Sequence, residues 1–167
     1  TNPCGEIPLC PYDSCRLLAL NLFSYVDNPF KADAKFNFER FRDHVGKAMH
    51  MMDDIIDLEL EKVEQIIAKI EADPEDEDVR RVELELWKKI RTMALKGRRT
   101  GLGITAEGDM LAALGLRYGT PEAIDFAVEV QKTLAIEAYR ASVKMAAERG
   151  AFPIYDAAKE ANNPMIA

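Results

Sequence analysis

Three polar side chains near the start of the chain, Asn2, Cys4 and Glu6, stand at alternating positions in the text TNPCGEIPL. An extended segment points residues two apart to the same side, so an amide, a thiol and a carboxylate would face one site. A thiol beside a carboxylate and an amide suits hydrogen-atom or proton chemistry on a hydroxylated substrate, with Glu6 as base and Asn2 as hydrogen-bond donor. The competing reading is a surface loop with a stray cysteine, because free cysteines are more often buried hydrophobes than reactive groups.

Two further thiols, Cys10 and Cys15, offer zinc ligands, but the three cysteines lack paired C-x2-C knuckles. His44 and His50 would lie about 240° apart around a helix, so no metal site is expected. The glycine-rich text GLGITAEG, residues 101–108, precedes a helix yet matches neither common phosphate-cradling pattern, which leaves a close-packed strand and turn as its expected role. Lys88, Lys89, Arg91, Lys96, Arg98 and Arg99 form the only basic cluster. It fits phosphate, a neighbouring acidic surface or a solvated helix end equally well. Met49, Met51 and Met52 read as core filler plus one exposed side chain.

The elements that must position these groups follow from pattern. The first thirty residues hold four of the eight prolines and all three cysteines, so they are mostly loop. Within them, residues 16–26 (RLLALNLFSYV) form an apolar run whose length favours a buried strand leading into a turn at Asp27-Asn28-Pro29, with a buried helix as the alternative.

From Phe36 onward, Phe38, Phe41, Val45, Ala48, Met49, Met52, Ile55 and Ile56 recur every three or four residues, which stacks them on one helical face. Val63, Ile66, Ile67 and Ile70 continue the helical stretch to EADPEDED, where six of eight residues are acidic and a solvated connector is expected. Asp73-Pro74 is read as the cap and first position of the next helix, through Val79, Val82, Leu86, Trp87, Ile90 and Met93 to a stop at Gly97.

Residues 100–104 are expected to be a buried strand with close backbone approach. Thr105 would then cap a short helix, residues 106–114, ended by Gly115. Thr120-Pro121-Glu122 starts a long helix that the apolar positions Ile124, Ala127, Val128, Leu134, Ala135, Ala138, Val143 and Ala146 carry to Arg149 before Gly150 stops it. The sum is a mainly α chain with two or so short strands, in one partial domain: finger loop and strand over 1–30, helices over 36–97, strand and short helix over 100–115, long helix over 120–150, tail over 151–167.

The 167 residues, 48% hydrophobic and 31% charged, are ordinary globular composition for one domain. A net charge of -7 argues against a nucleic-acid partner held by phosphate neutralisation and against anionic membrane surfaces. No apolar run approaches the roughly 20 residues of a membrane span, and the first residues lack the basic then apolar pattern of a signal peptide, so a reducing, cytoplasmic setting is expected. The chain opens on TNPCGEIPLCPYDSC without an initiator Met and closes on NNPMIA, which reads as a piece of something longer.

The text TNPCGEIPL resembles the active-site finger loop of ribonucleotide reductase large subunits, whose pattern is Asn, any residue, Cys, any residue, Glu. Cys15 falls where that family places one cysteine of its reducing pair. SCRLLALNLFSYV, MDDIIDLE, GRRTGLGITAEGDMLAALGLRYGT and AYRASVKMAAERGAFPIYD look like successive blocks of the same family in the same order. The wording is most like the class II, adenosylcobalamin-dependent branch. Where many relatives read CNLGSINL, this chain reads CRLLALNL.

The resemblance implies that Cys4 is the thiyl radical taking the ribose 3′ hydrogen, Glu6 the base on the 3′ hydroxyl, and Asn2 a hydrogen-bond partner of the substrate hydroxyls. Cys15 would be one of two reducing thiols, its partner lying outside this chain, and Cys10 would be free. The implied fold is a ten-stranded α/β barrel of which this chain is a middle portion. The implied partners are a ribonucleotide, the remaining barrel segments and a dithiol reductant such as thioredoxin. Barrel strands without their neighbours expose unpaired edges, so self-association and inactivity of the isolated chain are expected, and the alternative function is a non-catalytic, self-associating helical fragment.

Overall fold

A computed structural model of the chain describes residues 9–14 and 16–164. The order of elements is β1 (Arg16–Asn21), a 3-10 turn (Leu22–Tyr25), β2 (Val26–Asp27), β3 (Lys35–Phe36), α1 (Phe38–Glu71), α2 (Glu77–Gly97), β4 (Thr100–Thr105), α3 (Glu107–Ala113), α4 (Pro121–Arg149) and α5 (Ala157–Glu160). Helix dominates and strands are few, as the sequence pattern implies. Two compact units share the chain, one of residues 16–53 and 100–145, the other of residues 1–15, 54–99 and 146–167.

In the first unit β1 and β4 pair in parallel, Arg16 opposite Thr100 through Asn21 opposite Thr105. Parallel neighbours need a long crossover, and α1 with α2 fills it. Residues 16–26 are not one strand: β1 stops at Asn21, and Leu22–Tyr25 tightens into the 3-10 turn that buries Leu22 and Tyr25. Nor is the pair fully buried, since Leu17 is 64% exposed and β4 is only half-buried except for its exposed last residue. The reason is that central parallel strands need cover on both faces, and among the described residues each strand has a single partner. A Cβ added at Gly103 meets nothing within 4 Å, so the close approach expected there is absent. An antiparallel pair of two-residue strands, β2 with β3, was not foreseeable from so short a pattern.

The core of this unit gathers Leu22, Tyr25, Val26, Phe36, Phe41, Val45, Met110, Leu111, Ala123, Val130 and Leu134. Burying one such large apolar side chain contributes about 1.5–3 kcal/mol. Phe41 sits at the centre, its ring 5.0 Å from that of Tyr25 and 5.4 Å from that of Phe36. On α1 the buried stripe runs Phe41, Val45, Ala48, Met52, Ile56, Val63, Ile67 and Ile70, while Ile55 and Met51 face solvent. Ile55 therefore departs from the expected face, because it is one residue off a stripe whose steps are three and four.

Of the two helix starts in this unit after β4, one differs from expectation. α3 begins after Ala106, which holds φ 60° and makes no side-chain cap, so Thr105 does not cap it. Its end is as expected: Gly115, at φ 75°, lets Leu116 N–H reach the Leu111 carbonyl at 2.9 Å. On α4 the Thr120 hydroxyl accepts from Ala123 N–H at 3.4 Å, in line with the predicted cap. Its buried residues, however, are Ala123, Val130, Leu134, Ala141 and Met145, and Ile124, Val128 and Val143 lie exposed. Of the apolar positions from which the helix is read only Leu134 is fully buried, because α4 carries apolar residues around its whole circumference and periodicity cannot choose a face.

The second unit contains residues 54–71 of α1, all of α2, the loop of residues 9–14 and the tail. Asp57 pairs with Arg98, Glu64 with Arg91 and Glu71 with Lys88, a ladder that fixes the two helices antiparallel. The cap of α2 is Asp76, whose carboxylate accepts from Asp78 N–H at 2.9 Å. Asp73-Pro74 thus belongs to the connector rather than to the helix start; any of three nearby acids could cap, and the pattern alone did not single out the one that does. Asp156 caps α5 in the same way.

Candidate functional site

Asn2, Cys4, Glu6 and Cys15 lie outside the described residues. What is described is the ground on either side of Cys15, and it is held firmly. In the loop of residues 9–14, Asp13 N–H donates to the Cys10 carbonyl at 3.1 Å, closing a turn in which Tyr12 takes φ 64°. The Asp13 side chain is 0% exposed. Its Oδ1 accepts from the Ser14 N–H at 2.9 Å and its Oδ2 from Arg99 Nε at 2.6 Å.

Around this pair, Arg99 Nη2 is 3.9 Å from Cys10 Sγ, Ser14 Oγ is 3.3 Å from Glu59 Oε1, and Lys89 Nζ stands 5.3 Å from the Tyr12 ring centre. The hydrogen bond from Arg99 to Asp13 pushes the guanidinium pKa further up, so it stays charged at every attainable pH. A buried carboxylate is tolerable only when paired and fully hydrogen-bonded, and both oxygens of Asp13 have a donor. Cys10 is free, as the resemblance implies.

The basic cluster is answered by this chain's own acids: Arg91, Lys88, Arg98 and Arg99 each meet a carboxylate. Of the three readings left open by the sequence, the acidic-neighbour one describes these four. Residues 100–105 form strand rather than a phosphate loop. His44 is engaged by Tyr25 through its Nδ1. Among the described residues, no three His, Cys, Asp or Glu side chains come together, and no helix is long and apolar enough to cross a membrane.

One further cavity, of about 740 Å³, lies in the first unit between α3, the loop after it and α4, lined by Leu111, Tyr118, Ala123, Ile124 and Val128 among others. The sequence pattern does not show it, since apolar periodicity along α4 cannot tell which face a neighbour leaves open. It equally missed the pairing of Asp13 with Arg99, whose 86-residue separation no local pattern spans.

A parallel strand pair joined through a helical crossover, preceded in the chain by a cysteine-bearing loop, is the architecture of an α/β protein rather than of a helical bundle. The family model described as the ribonucleotide reductase barrel domain matches residues 1–166, and the chain belongs to that family. It is 36% identical over 155 residues, 93% of its length, to the vitamin B12-dependent ribonucleoside-diphosphate reductase of Thermoplasma acidophilum, and 32% identical over 155 residues, again 93%, to that of Mycobacterium tuberculosis. To the ribonucleoside-diphosphate reductase subunit alpha of Chlamydia pneumoniae it is 26% identical over 163 residues, 95% of the chain. The matched region is 16%, 18% and 13% of those three proteins respectively, so the chain spans about a sixth of the length of these relatives.

Proposed function

We propose that this chain is the radical-cysteine segment of a longer ribonucleotide reductase that converts ribonucleotides, diphosphates by the names of its relatives, to 2′-deoxyribonucleotides. The family match across residues 1–166 carries the reading, and the Asn2, Cys4, Glu6 and Cys15 spacing supplies the chemistry. The half-covered β1–β4 pair supports the further view that residues 1–167 are part of one domain, a ten-stranded barrel whose other strands lie elsewhere in the protein.

In this mechanism the Cys4 thiyl takes the hydrogen from C3′, becoming a thiol and leaving a carbon radical, while Glu6 accepts the 3′ hydroxyl proton. Asn2 orients the hydroxyls. The 2′ hydroxyl leaves as water with a proton from the thiol pair, C2′ takes the pair's other hydrogen, Glu6 returns its proton to the 3′ oxygen, and Cys15 with the second thiol, having given two electrons, becomes half of a disulfide. C3′ then regains its hydrogen from Cys4, which returns to the thiyl. Ribonucleotide plus dithiol thus gives deoxyribonucleotide, water and disulfide, and a dithiol protein such as thioredoxin would restore the thiols.

Adenosylcobalamin would supply the initial radical, in keeping with the names of the first two relatives. Its amide-fringed ring needs polar partners, and the cavity beside α4 is mostly apolar, so that cavity does not fit it and no residue of this chain is assigned to hold it.

The test is the complete reductase with a ribonucleoside diphosphate, a dithiol and adenosylcobalamin, with Cys4 intact and with Cys4→Ser. Product that requires both Cys4 and the cobalamin is expected; turnover retained by the Ser variant would remove the assignment.

A second reading, a self-associating helical fragment without activity of its own, is favoured by one observation: Ile124 and Val128 stand exposed on the rim of the α4 cavity, at 54% and 60%. Nucleotide turnover by the isolated chain would exclude it.

A further inference from the structure

We propose that α4 is an interface between two copies of this chain, paired antiparallel about a two-fold axis near the middle of the helix; the inference rests on the self-association of the second reading above. A helix that is apolar around its whole circumference belongs in a core, covered on every side. One side of α4 is covered by its own unit and carries Ala123, Val130, Leu134, Ala141 and Met145. On the other side Ile124, Val128, Ile136, Tyr139 and Val143 lie exposed, from 39% at Ile136 to 71% at Val143. Steps of three, four and eight residues line these five up on one face, along about 29 Å of helix from Ile124 to Val143.

The order of charges beside this stripe selects the occupant. Asp125 and Glu129 stand in the N-terminal half of α4, Arg140 and Lys144 in the C-terminal half, and at about 100° per residue the four fall within about 100° of arc on the same flank. Of these, only Arg140 has an ion-pair partner among the described residues, the Glu137 carboxylate at 2.7 Å. A two-fold axis sets one surface against its own copy. A parallel pair would lay acid on acid and base on base. The antiparallel pair instead brings Asp125 within a turn of Lys144 of the second copy and Glu129 within a turn of its Arg140, and the symmetry repeats both contacts. In the same register Ile124 meets Val143 and Val128 meets Tyr139, so the ring of Tyr139 arrives at the cavity of about 740 Å³ that Ile124 and Val128 border. A tyrosine filling a pocket is a common anchor of protein interfaces. Lys132, close to the axis, can lay its stem along Ala135 and keep its ammonium in water. A different segment of a longer reductase would have no cause to mirror the charge order of this helix.

The test compares the chain with two double variants, Asp125→Lys with Glu129→Lys and Arg140→Glu with Lys144→Glu, and with Tyr139→Ala. Sedimentation velocity over a concentration series reads association, and thermal melts by circular dichroism read folding. All five positions are exposed, where substitution leaves folding nearly unchanged. Wild type is expected to be a reversible dimer. Each double variant carries a flank of one sign, so its dissociation constant is expected to rise at least about tenfold. An equimolar mixture of the two is expected to restore the dimer, because a wholly basic flank then meets a wholly acidic one. Tyr139→Ala is expected to weaken the dimer about tenfold, and it decides the question if a double variant does not fold. A dimeric wild type beside variants of unchanged association, or a mixture no better associated than either variant alone, overturns the α4 pair and leaves self-association through another surface. A wild type that stays monomeric at every concentration overturns self-association and the α4 pair with it, and makes a further segment of the reductase the cover of the stripe.

Discussion

Tyr25 Oη and His44 Nδ1 share a hydrogen bond at 3.2 Å, and their rings meet edge to face with centroids 5.6 Å apart. The contact ties the end of the 3-10 turn to the second turn of α1, beside the Phe36 and Phe41 rings. It makes a mostly apolar junction directional, because a phenol in a core needs a partner for its hydroxyl.

Burial raises the Tyr25 pKa above its ordinary value, partly opposed by Arg40 over the ring. With the folded pKa above the unfolded one, the contribution is complete below about pH 10 and is lost as pH rises through the folded value, because the unfolded chain releases its proton first. Tyr25→Phe should therefore cost about 1 kcal/mol at pH 7 through the missing hydrogen bond, yet lose less stability than wild type between pH 9 and about 11. Urea midpoints across that range decide it: parallel curves would mean that Tyr25 does not titrate with unfolding.

Ala106 holds φ 60° at the start of α3. A left-handed conformation costs a residue with a Cβ about 1–2 kcal/mol, while glycine adds roughly 0.5–1 kcal/mol of unfolded-state entropy. The first exceeds the second, so Ala106→Gly should raise stability by about 0.5 kcal/mol and move the thermal midpoint up by a few degrees. A lowered midpoint would show that the strain is absent.

Val128 borders the α4 cavity and is 60% exposed. If that face drives self-association of the isolated chain, Val128→Asp should shift sedimentation toward monomer while changing unfolding stability by no more than about 0.5 kcal/mol, as surface substitutions do. Identical sedimentation of the two chains would place the association elsewhere.

Legibility in the sequence varied with how strongly each pattern excluded its rivals. Phe41, Val45, Ala48, Met52 and Ile56 could share only one helical face, and that face is buried. α4 offered several apolar stripes, so its pattern did not show that Ile124, Val128 and Val143 lie exposed. Asp76 rather than Asp73 caps α2 because several acids in one connector compete for the same role. Asn2, Cys4, Glu6 and Cys15 lie outside the described residues, and their assignment rests on type and spacing joined to a family likeness. The pairing of Asp13 with Arg99 was not legible, because a buried carboxylate in a Tyr-Asp-Ser turn looks no different in sequence from an exposed one.

The parallel partnership of β1 with β4 also sets a timetable. During synthesis at about 5–20 residues per second, β1 emerges on the order of ten seconds before Thr100–Thr105 exists to pair with it. Throughout that interval the Leu-rich ribbon RLLALN waits for its β4 partner, and the ribosome-bound chain is open to wrong pairing with a neighbouring nascent chain. The two helices made in between need no distant partner for their backbone hydrogen bonds, so they can form while the strand waits.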